Sequence, residues 1–359
     1  MEMLMNIPVK KTKLSGLPEV DFNNLEFGKY VSDHMLVCDY DGKDAINPGW
    51  QQAQIVPFEN LSMSPSSLAL HYGQTVFEGM KAVAMESGRV NIFRPDKHYD
   101  RFVRSLGRMC MAVPPRQLFM EGLTKLIETD KDWVPSIPGT SLYIRPFMYA
   151  SEARFGVKVS DYYRFVIFTG PVPEVYTRPI KVKVETNFIR AAKGGTGFAK
   201  CGGNYGGAFY PTRLANQEGF DQVLWTTGQE DPHIEESGMM NVMFVINDVL
   251  LTPPLSDSIL DGVTRDSLLH LARKLGFKTE ERSISVAELE QAFKDKLLTE
   301  AFGAGTAAVV APIETIHIKG TDYHLPEYGK YSLHFKLKEK LESLRSGKDE
   351  DVFGWNYIV

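Results

Sequence analysis

Lys200 stands among seven glycines in GGTGFAKCGGNYGG, residues 194–207. A lysine amine is nucleophilic only when neutral, and its ordinary pKa of about 10.4 keeps it charged near pH 7. Burial or a neighbouring cation lowers that value, and glycine backbone can crowd close to a flat ring. A lysine in this setting suits Schiff-base chemistry with a carbonyl cofactor. Two other roles compete for the same stretch: a phosphate-cradling loop and a plain flexible loop. The phosphate loop fails at both neighbours of the lysine. It needs GxxxxGK followed by Ser or Thr, whereas Ala199 precedes Lys200 and Cys201 follows it. A second stretch, Gly303 to Ala308, reads GAGTAA and nominally fits the dinucleotide motif GxGxxA. That motif must follow a strand and open a helix. Here a helical pattern, VAELEQAFKDKLLTEAF, is expected before it and a strand, AAVVAPI, after it.

If the carbonyl cofactor is pyridoxal phosphate, three further parts are needed: a carboxylate for the pyridine nitrogen, an anion site for the phosphate, and a hydroxyl for the ring oxygen. HIEESGMMN offers Glu235 and Glu236; in an extended segment they face opposite sides, so one points inward. Gly262, Val263 and Thr264 open an amphipathic pattern, and free amides at a helix start favour phosphate. Thr306 could add a hydroxyl and an amide, and Arg101 a full charge. Tyr205, five residues past Lys200, could reach the ring oxygen. Each has a plainer reading: a solvated glutamate pair, wet arginines on the polar face of a helix, an ordinary helix start. Tyr143 and Arg145 share one strand face opposite Leu142 and Ile144, and could be a snorkelling surface pair.

The elements that must hold these residues are visible in the patterning. In YDRFVRSLGRMCM, Tyr99, Phe102, Val103, Leu106 and Cys110 form one apolar helical stripe. SLYIRPFMYA and YYRFVIFTG read as neighbouring strands, and SLALHYGQTVFEGMKAVAM as extended segments around a turn. Residues 170–179, GPVPEVYTRP, carry three prolines and a glycine and mark a linker. After it, strands KVKVET, QVLWTT and NVMFVIND alternate with helices DSLLHLARKLGF and VAELEQAFKD. At 359 residues the chain has room for two domains. A net charge of −5 is too mild for a nucleic-acid surface. No apolar run reaches the roughly 18 residues of a membrane span, and MEMLMNIPVKK lacks a signal-peptide core, so a cytoplasmic protein is expected. Cys38, Cys110 and Cys201 form no CxxC pattern and the eight histidines no HExxH, so neither a disulfide framework nor a metal site is signalled.

VFEGMKA (76–82), FRPDKHYDRFVRS (93–105), SLYIRP (141–146), GGNYG (202–206), QVLWTTG (222–228), ESGMMN (236–241), TPPL (252–255), ILDGVTR (259–265) and FGAGTAAVV (302–310) follow one another in this order. Together they resemble the branched-chain aminotransferases, fold-type IV enzymes that use pyridoxal phosphate, over roughly residues 20–359. The resemblance implies an α/β protein of the α+β type. It would have a smaller N-terminal domain over residues 1–170, a linker over 171–179, and a larger cofactor-binding domain over 180–359, with the cofactor at the domain interface. Lys200 would bind the cofactor and shuttle the proton. Glu236 would pair with the pyridine nitrogen, leaving Glu235 without that task, and Tyr205 would bond the ring oxygen. Arg101, the amides of Val263 and Thr264, and Thr306 would hold the phosphate, with Arg190 near the cofactor. Phe77, Tyr143 and Arg145 would line the substrate side, and the amides of Thr306 and Ala307 would hold the α-carboxylate. Tyr72, Phe155 and Val157 would reach the site of a second subunit, implying a homodimer. Leucine, isoleucine or valine would give its amino group to 2-oxoglutarate in a ping-pong reaction.

Two departures stand out. Met239 replaces a threonine common beside the cofactor glutamate, and AAVVA (307–311) lacks the CxxC of the animal enzymes, pointing to a bacterial-type member. D-amino-acid aminotransferase and aminodeoxychorismate lyase are the rivals within the fold, and SLYIRP and FGAGTA weigh against both. A non-catalytic phosphate-ligand binding protein is the rival outside it, and predicts no Schiff base.

Overall fold

The computed structural model describes residues 5–46 and 48–359. The chain divides into two compact units, Met1–Glu174 with Ala199–Gly203 and Arg345–Val359, and Val175–Phe198 with Asn204–Leu344. The first boundary falls inside the proline-rich stretch. The expected C-terminal domain nevertheless loses two pieces, because the lysine segment and residues 345–359 pack with the first unit.

The first unit is built on an antiparallel sheet in the spatial order Asn356–Ile358, Val90–Phe93, Met80–Ala84, Ser141–Ala150, Tyr162–Val172, His34–Asp41, Gly49–Trp50. Gln54–Pro57 also pairs with His34–Asp41, and Thr75–Phe77 with Ser141–Ala150. The two strands read from SLYIRPFMYA and YYRFVIFTG pair along their whole length, from Ser141 opposite Val172 to Ala150 opposite Tyr163. Alternation sorts their side chains: Leu142, Ile144 and Met148 are fully buried, while Tyr143 and Arg145 are half-buried on the other face. Helices Pro95–Arg108 and Arg116–Thr129 cover the core through Phe102, Leu106, Phe119 and Leu123. Pro95 begins its helix, where its missing N–H costs nothing. The expected stripe overran by one member, because Cys110 lies past the helix end with a left-handed φ of 54°. Leu68–Tyr72 is a short helix rather than an extended segment, ended by left-handed Gly73.

The second unit holds another sheet, ordered Ile234–Ser237, Gln222–Thr226, Ile180–Glu185, Val309–Ile318, Leu298–Gly305, Met240–Ile246, Val249–Thr252, Lys278–Glu281. Ile234–Ser237 pairs with Gln222–Thr226 and also with Met240–Ile246, so this part of the sheet closes on itself. Helices Gly203–Gln217, Val263–Lys274, Val286–Lys294 and Leu333–Arg345 complete the elements. Two expectations change here. GGNYGG is not all loop, since the helix begins at Gly203. LTEAFGAG, Leu298–Gly305, is a strand, because Lys296, with φ 57°, breaks the helical pattern two residues earlier. GAGTAA therefore follows a strand but runs through a turn into another strand, and the dinucleotide motif still fails. Among the described residues no helix is long and apolar enough to cross a membrane, and no three His, Cys, Asp or Glu side chains group as a metal site.

Candidate active site

In the first unit, backbone contacts fix the lysine segment. Cys201 bridges to Val76, Phe77 N–H donates to Lys200 O at 3.0 Å, and Lys200 N–H donates to Ser105 Oγ at 2.9 Å. Gly202 is needed for this fit, because a Cβ there would lie 2.5 Å from Thr75 Oγ1. The Lys200 amine sits 4.6 Å from the centre of the Phe77 ring. Burial of the amine, then the Arg101 charge, lowers its pKa from 10.5 to about 8 against the pull of Glu78 and Tyr143. The residue as a whole keeps some solvent exposure, but its amine lies in packed surroundings.

Arg101 is 4% exposed, not on a wet face. Its guanidinium grips Glu78 twice, Nε to Oε1 at 2.7 Å and Nη2 to Oε2 at 2.8 Å, and His98 Nδ1 lies 2.8 Å from Glu78 Oε2. Burial pushes the Glu78 carboxyl up, but Arg101 and His98 outweigh it and hold the group well below the usual carboxylate range. Burial likewise holds His98 below its ordinary value, with the Arg101 and Lys200 charges adding to it. Glu78 and His98 were not among the residues expected from sequence. The available signal was a lone glutamate within the apolar run TVFEGMKAVA, since an unpaired charge cannot be buried there cheaply.

Against the same Phe77 ring, Arg145 lies 4.7 Å from the ring centre and 5.2 Å from that of Tyr143, and its Nη2 donates to Tyr143 Oη at 3.2 Å. Its buried Nε has no hydrogen-bond acceptor among the described residues. Arg145 and Phe77 belong to the wall of a cavity of about 390 Å³, lined mostly by apolar side chains such as Leu61, Met63, Leu70 and Phe147, with Thr75 and Tyr149 among them. Tyr72 is 41% exposed, and Phe155 and Val157 are 85% and 81% exposed.

In the second unit, Glu235 and Glu236 are both buried, at 5% and 3% exposure, so the expectation that only one would turn inward is corrected. Ser258 Oγ donates to Glu235 Oε1, and Glu235 Oε2 has no hydrogen-bond partner among the described residues; burial raises this carboxyl's pKa. Glu236 Oε1 accepts from Leu260 N–H at 2.8 Å and from Asn241 Nδ2 at 3.2 Å. Its Oε2 lies 3.0 Å from Arg190 Nε, close enough for an ion pair although the angle makes no hydrogen bond. Arg190 also donates through Nη2 to the carbonyls of Gly197 and Ser258. Val263 and Thr264, 2% and 3% exposed, form the first turn of their helix. First-turn amides have no intrahelical acceptor, and Gly262 has no side chain to cap them. Thr306 and Ala307 are half-buried in the turn between Leu298–Gly305 and Val309–Ile318, Tyr205 is half-buried in the Gly203–Gln217 helix, and Met239 is 72% exposed at its hairpin turn.

The first unit thus holds a lysine titrating near pH 8 beside a buried guanidinium, and the second, described by itself, holds a pinned buried carboxylate and an uncapped helix start. Each is a kind of group that a flat anionic carbonyl cofactor needs. The protein-family model for class IV amino-transferases matches residues 75–316. Branched-chain-amino-acid aminotransferase 2 of Bacillus subtilis is 42% identical, covering 95% of this chain and 94% of its own. Branched-chain-amino-acid transaminase 1 of the same organism is 44% identical, covering 94% and 95%. Among solved structures, the branched-chain aminotransferase of Thermoproteus uzoniensis, crystallised with norvaline, superposes with a TM-score of 0.73 at 25% identity, over 90% of this chain and 99% of that one. The architecture is thus shared along nearly the whole sequence, and this chain belongs to the class IV aminotransferases.

Proposed function

We infer that this enzyme is a branched-chain amino acid aminotransferase that uses pyridoxal phosphate to move the amino group of leucine, isoleucine or valine to 2-oxoglutarate. The observation that carries the reading is Lys200, an amine held near a pKa of about 8 beside Arg101. The residues fit the cofactor: Arg101 is a buried guanidinium suited to a phosphate, and two N–H donors orient the Glu236 carboxylate for a ring nitrogen. When bound, pyridoxal phosphate supplies an electrophilic carbon and a ring that accepts the electron pair released at the substrate α-carbon.

The chain's own residues do the rest. Lys200 Nζ would join the cofactor and, freed when the substrate amine takes its place, would act as the base that moves the α-proton, which requires an amine that is neutral near working pH. Glu236 would hold the proton on the pyridine nitrogen, with Arg190 beside it. Arg101, oriented by Glu78, would hold the phosphate together with the amides of Val263 and Thr264 and with Thr306. Tyr205 would bond the ring oxygen. The amides of Thr306 and Ala307 would receive the substrate carboxylate. Phe77 and Tyr143 would exclude water from the alkyl side chain, and Arg145 would pair with the second carboxylate of glutamate. Tyr72, Phe155 and Val157 would contact a second copy of the chain, giving a homodimer, and the working location is the cytoplasm.

The purified protein should be yellow, and borohydride should bleach it with the label on Lys200. An amino-donor panel should favour leucine, isoleucine and valine. A colourless, inactive protein that binds pyridoxal phosphate reversibly would favour the binding-protein alternative. Full turnover by Lys200→Ala would sink the assignment.

A further inference from the structure

Glu236 and Asn241 are direct cross-strand partners, separated by a hairpin whose two turn residues are Gly238, with φ 57°, and Met239. Opposed residues share one face of the sheet, so their side chains must meet. Asn241 is 5% exposed. Its amide faces two acceptors, Glu236 Oε1 at 3.2 Å and Leu260 O at 2.9 Å, which fixes Nδ2 on that side and Oδ1 on the other. Oδ1 in turn abuts Gly262, where a Cβ would lie 1.9 Å from it. Leu260 N–H donates to the same Glu236 oxygen. One asparagine therefore ties a buried carboxylate to the start of the Val263–Lys274 helix. Aspartate would have the shape but would face Glu236 with a second charge. Glutamine would be a methylene too long for the space beside Gly262.

We propose that Asn241 is a positioning residue: it sets the orientation of the Glu236 carboxylate toward the pyridine nitrogen and, by occupying the space beside Gly262, keeps the helix start in register with that carboxylate. This rests on Glu236 being the partner of the ring nitrogen.

The test uses holoenzyme loaded with pyridoxal phosphate labelled with nitrogen-15 in the ring, whose chemical shift reports the proton on that nitrogen independently of turnover. Glu236→Gln should move the resonance toward unprotonated pyridine and abolish most activity. Asn241→Ala should move it the same way in part and lower kcat by about ten- to a hundred-fold, the worth of a hydrogen bond to an ionised group, with KM nearly unchanged. Gly262→Ala should cost about as much, since its methyl displaces Oδ1, but should cost little more once Asn241→Ala has emptied the space. If Asn241→Ala does not accumulate as folded holoenzyme, Asn241→Asp carries the test: same shape, and a resonance shifted with its pH dependence changed. An unmoved resonance and near-normal kcat in the Asn241 variants, alongside a strong Glu236→Gln effect, would overturn the proposal. So would additive losses at positions 241 and 262. No effect of Glu236→Gln would instead overturn the underlying reading of Glu236.

Discussion

Lys200→Met should make the apoprotein more stable at neutral pH, and the gain should vanish above pH 10.5. The perturbation removes an amine whose pKa falls from 10.5 to about 8 on folding, chiefly through burial and the Arg101 charge. The unfolded chain binds a proton more tightly than the folded one, so the native enzyme gains stability as pH rises between these two values. Below pH 8 both states carry the charge, and the folded state bears the whole cost. At 1.36 kcal/mol for each factor of ten, that cost is at most about 3 kcal/mol, and less to the extent that water reaches the half-buried residue. The same figures leave about a quarter of the amines neutral at pH 7.5, against roughly one in a thousand for an ordinary lysine. Melting temperatures of wild type and variant, with the cofactor stripped, should be compared from pH 6.5 to 10.5. Each kcal/mol is worth roughly 2–4 °C for units of this size. Taking the difference at each pH cancels the titrating groups that do not feel the Lys200 charge; His98, which does, is the exception. A gap that stays constant across the range, or a wild type that is the more stable at pH 7, would refute the account of how burial and Arg101 lower this amine's pKa.

Arg145→Met should weaken glutamate and 2-oxoglutarate by about ten- to a hundred-fold while leaving the leucine half-reaction within a few fold, read from single-turnover spectra of each half-reaction. Equal losses would make Arg145 structural. Glu236→Ala should lose far more activity than Glu235→Ala, although both side chains are buried, because Glu235 is tied to Ser258 and has a raised pKa. Glu78→Gln leaves Arg101 and His98 without their counter-charge; it should destabilise the protein by about 3–5 kcal/mol and weaken cofactor binding, seen by denaturation and by cofactor titration. Because folding lowers the Glu78 pKa, this stabilisation is complete above the ordinary carboxyl value and is lost as pH falls below it. Replacing exposed Phe155 and Val157 with aspartate should turn a dimer into monomers by sedimentation, and unchanged mass would remove these residues from any interface.

Local pattern made the strands at 141–150 and 162–172 and the helix from Pro95 legible, because alternation and an apolar stripe are written in neighbouring residues. Lys200 was legible because glycines crowd around it. Glu78 was legible only as a lone glutamate in an apolar run and His98 not at all, since their importance lies in meeting Arg101 in the folded core. Glu235 misled for a related reason: alternation predicts opposite faces, but the sheet closes on itself here and both faces are covered. The helical look of LLTEAF failed because a single left-handed residue, Lys296, decides where the helix ends.

Strand Asn356–Ile358 forms the edge of the first sheet against Val90–Phe93, and Trp355, stacked on Phe353, lies under the Arg94 guanidinium 4.4 Å away. These residues follow the entire second unit in the chain. During synthesis the first sheet must therefore wait with an unpaired edge while nearly two hundred further residues are made, an interval of roughly ten to forty seconds at 5–20 residues per second. An open edge is a template for pairing with other chains. The enzyme's yield in a cell should accordingly be governed by how well that edge is shielded before residue 356 arrives, and a cut or bulky fusion near Trp355 should act first as an aggregation lesion and only second as a catalytic one.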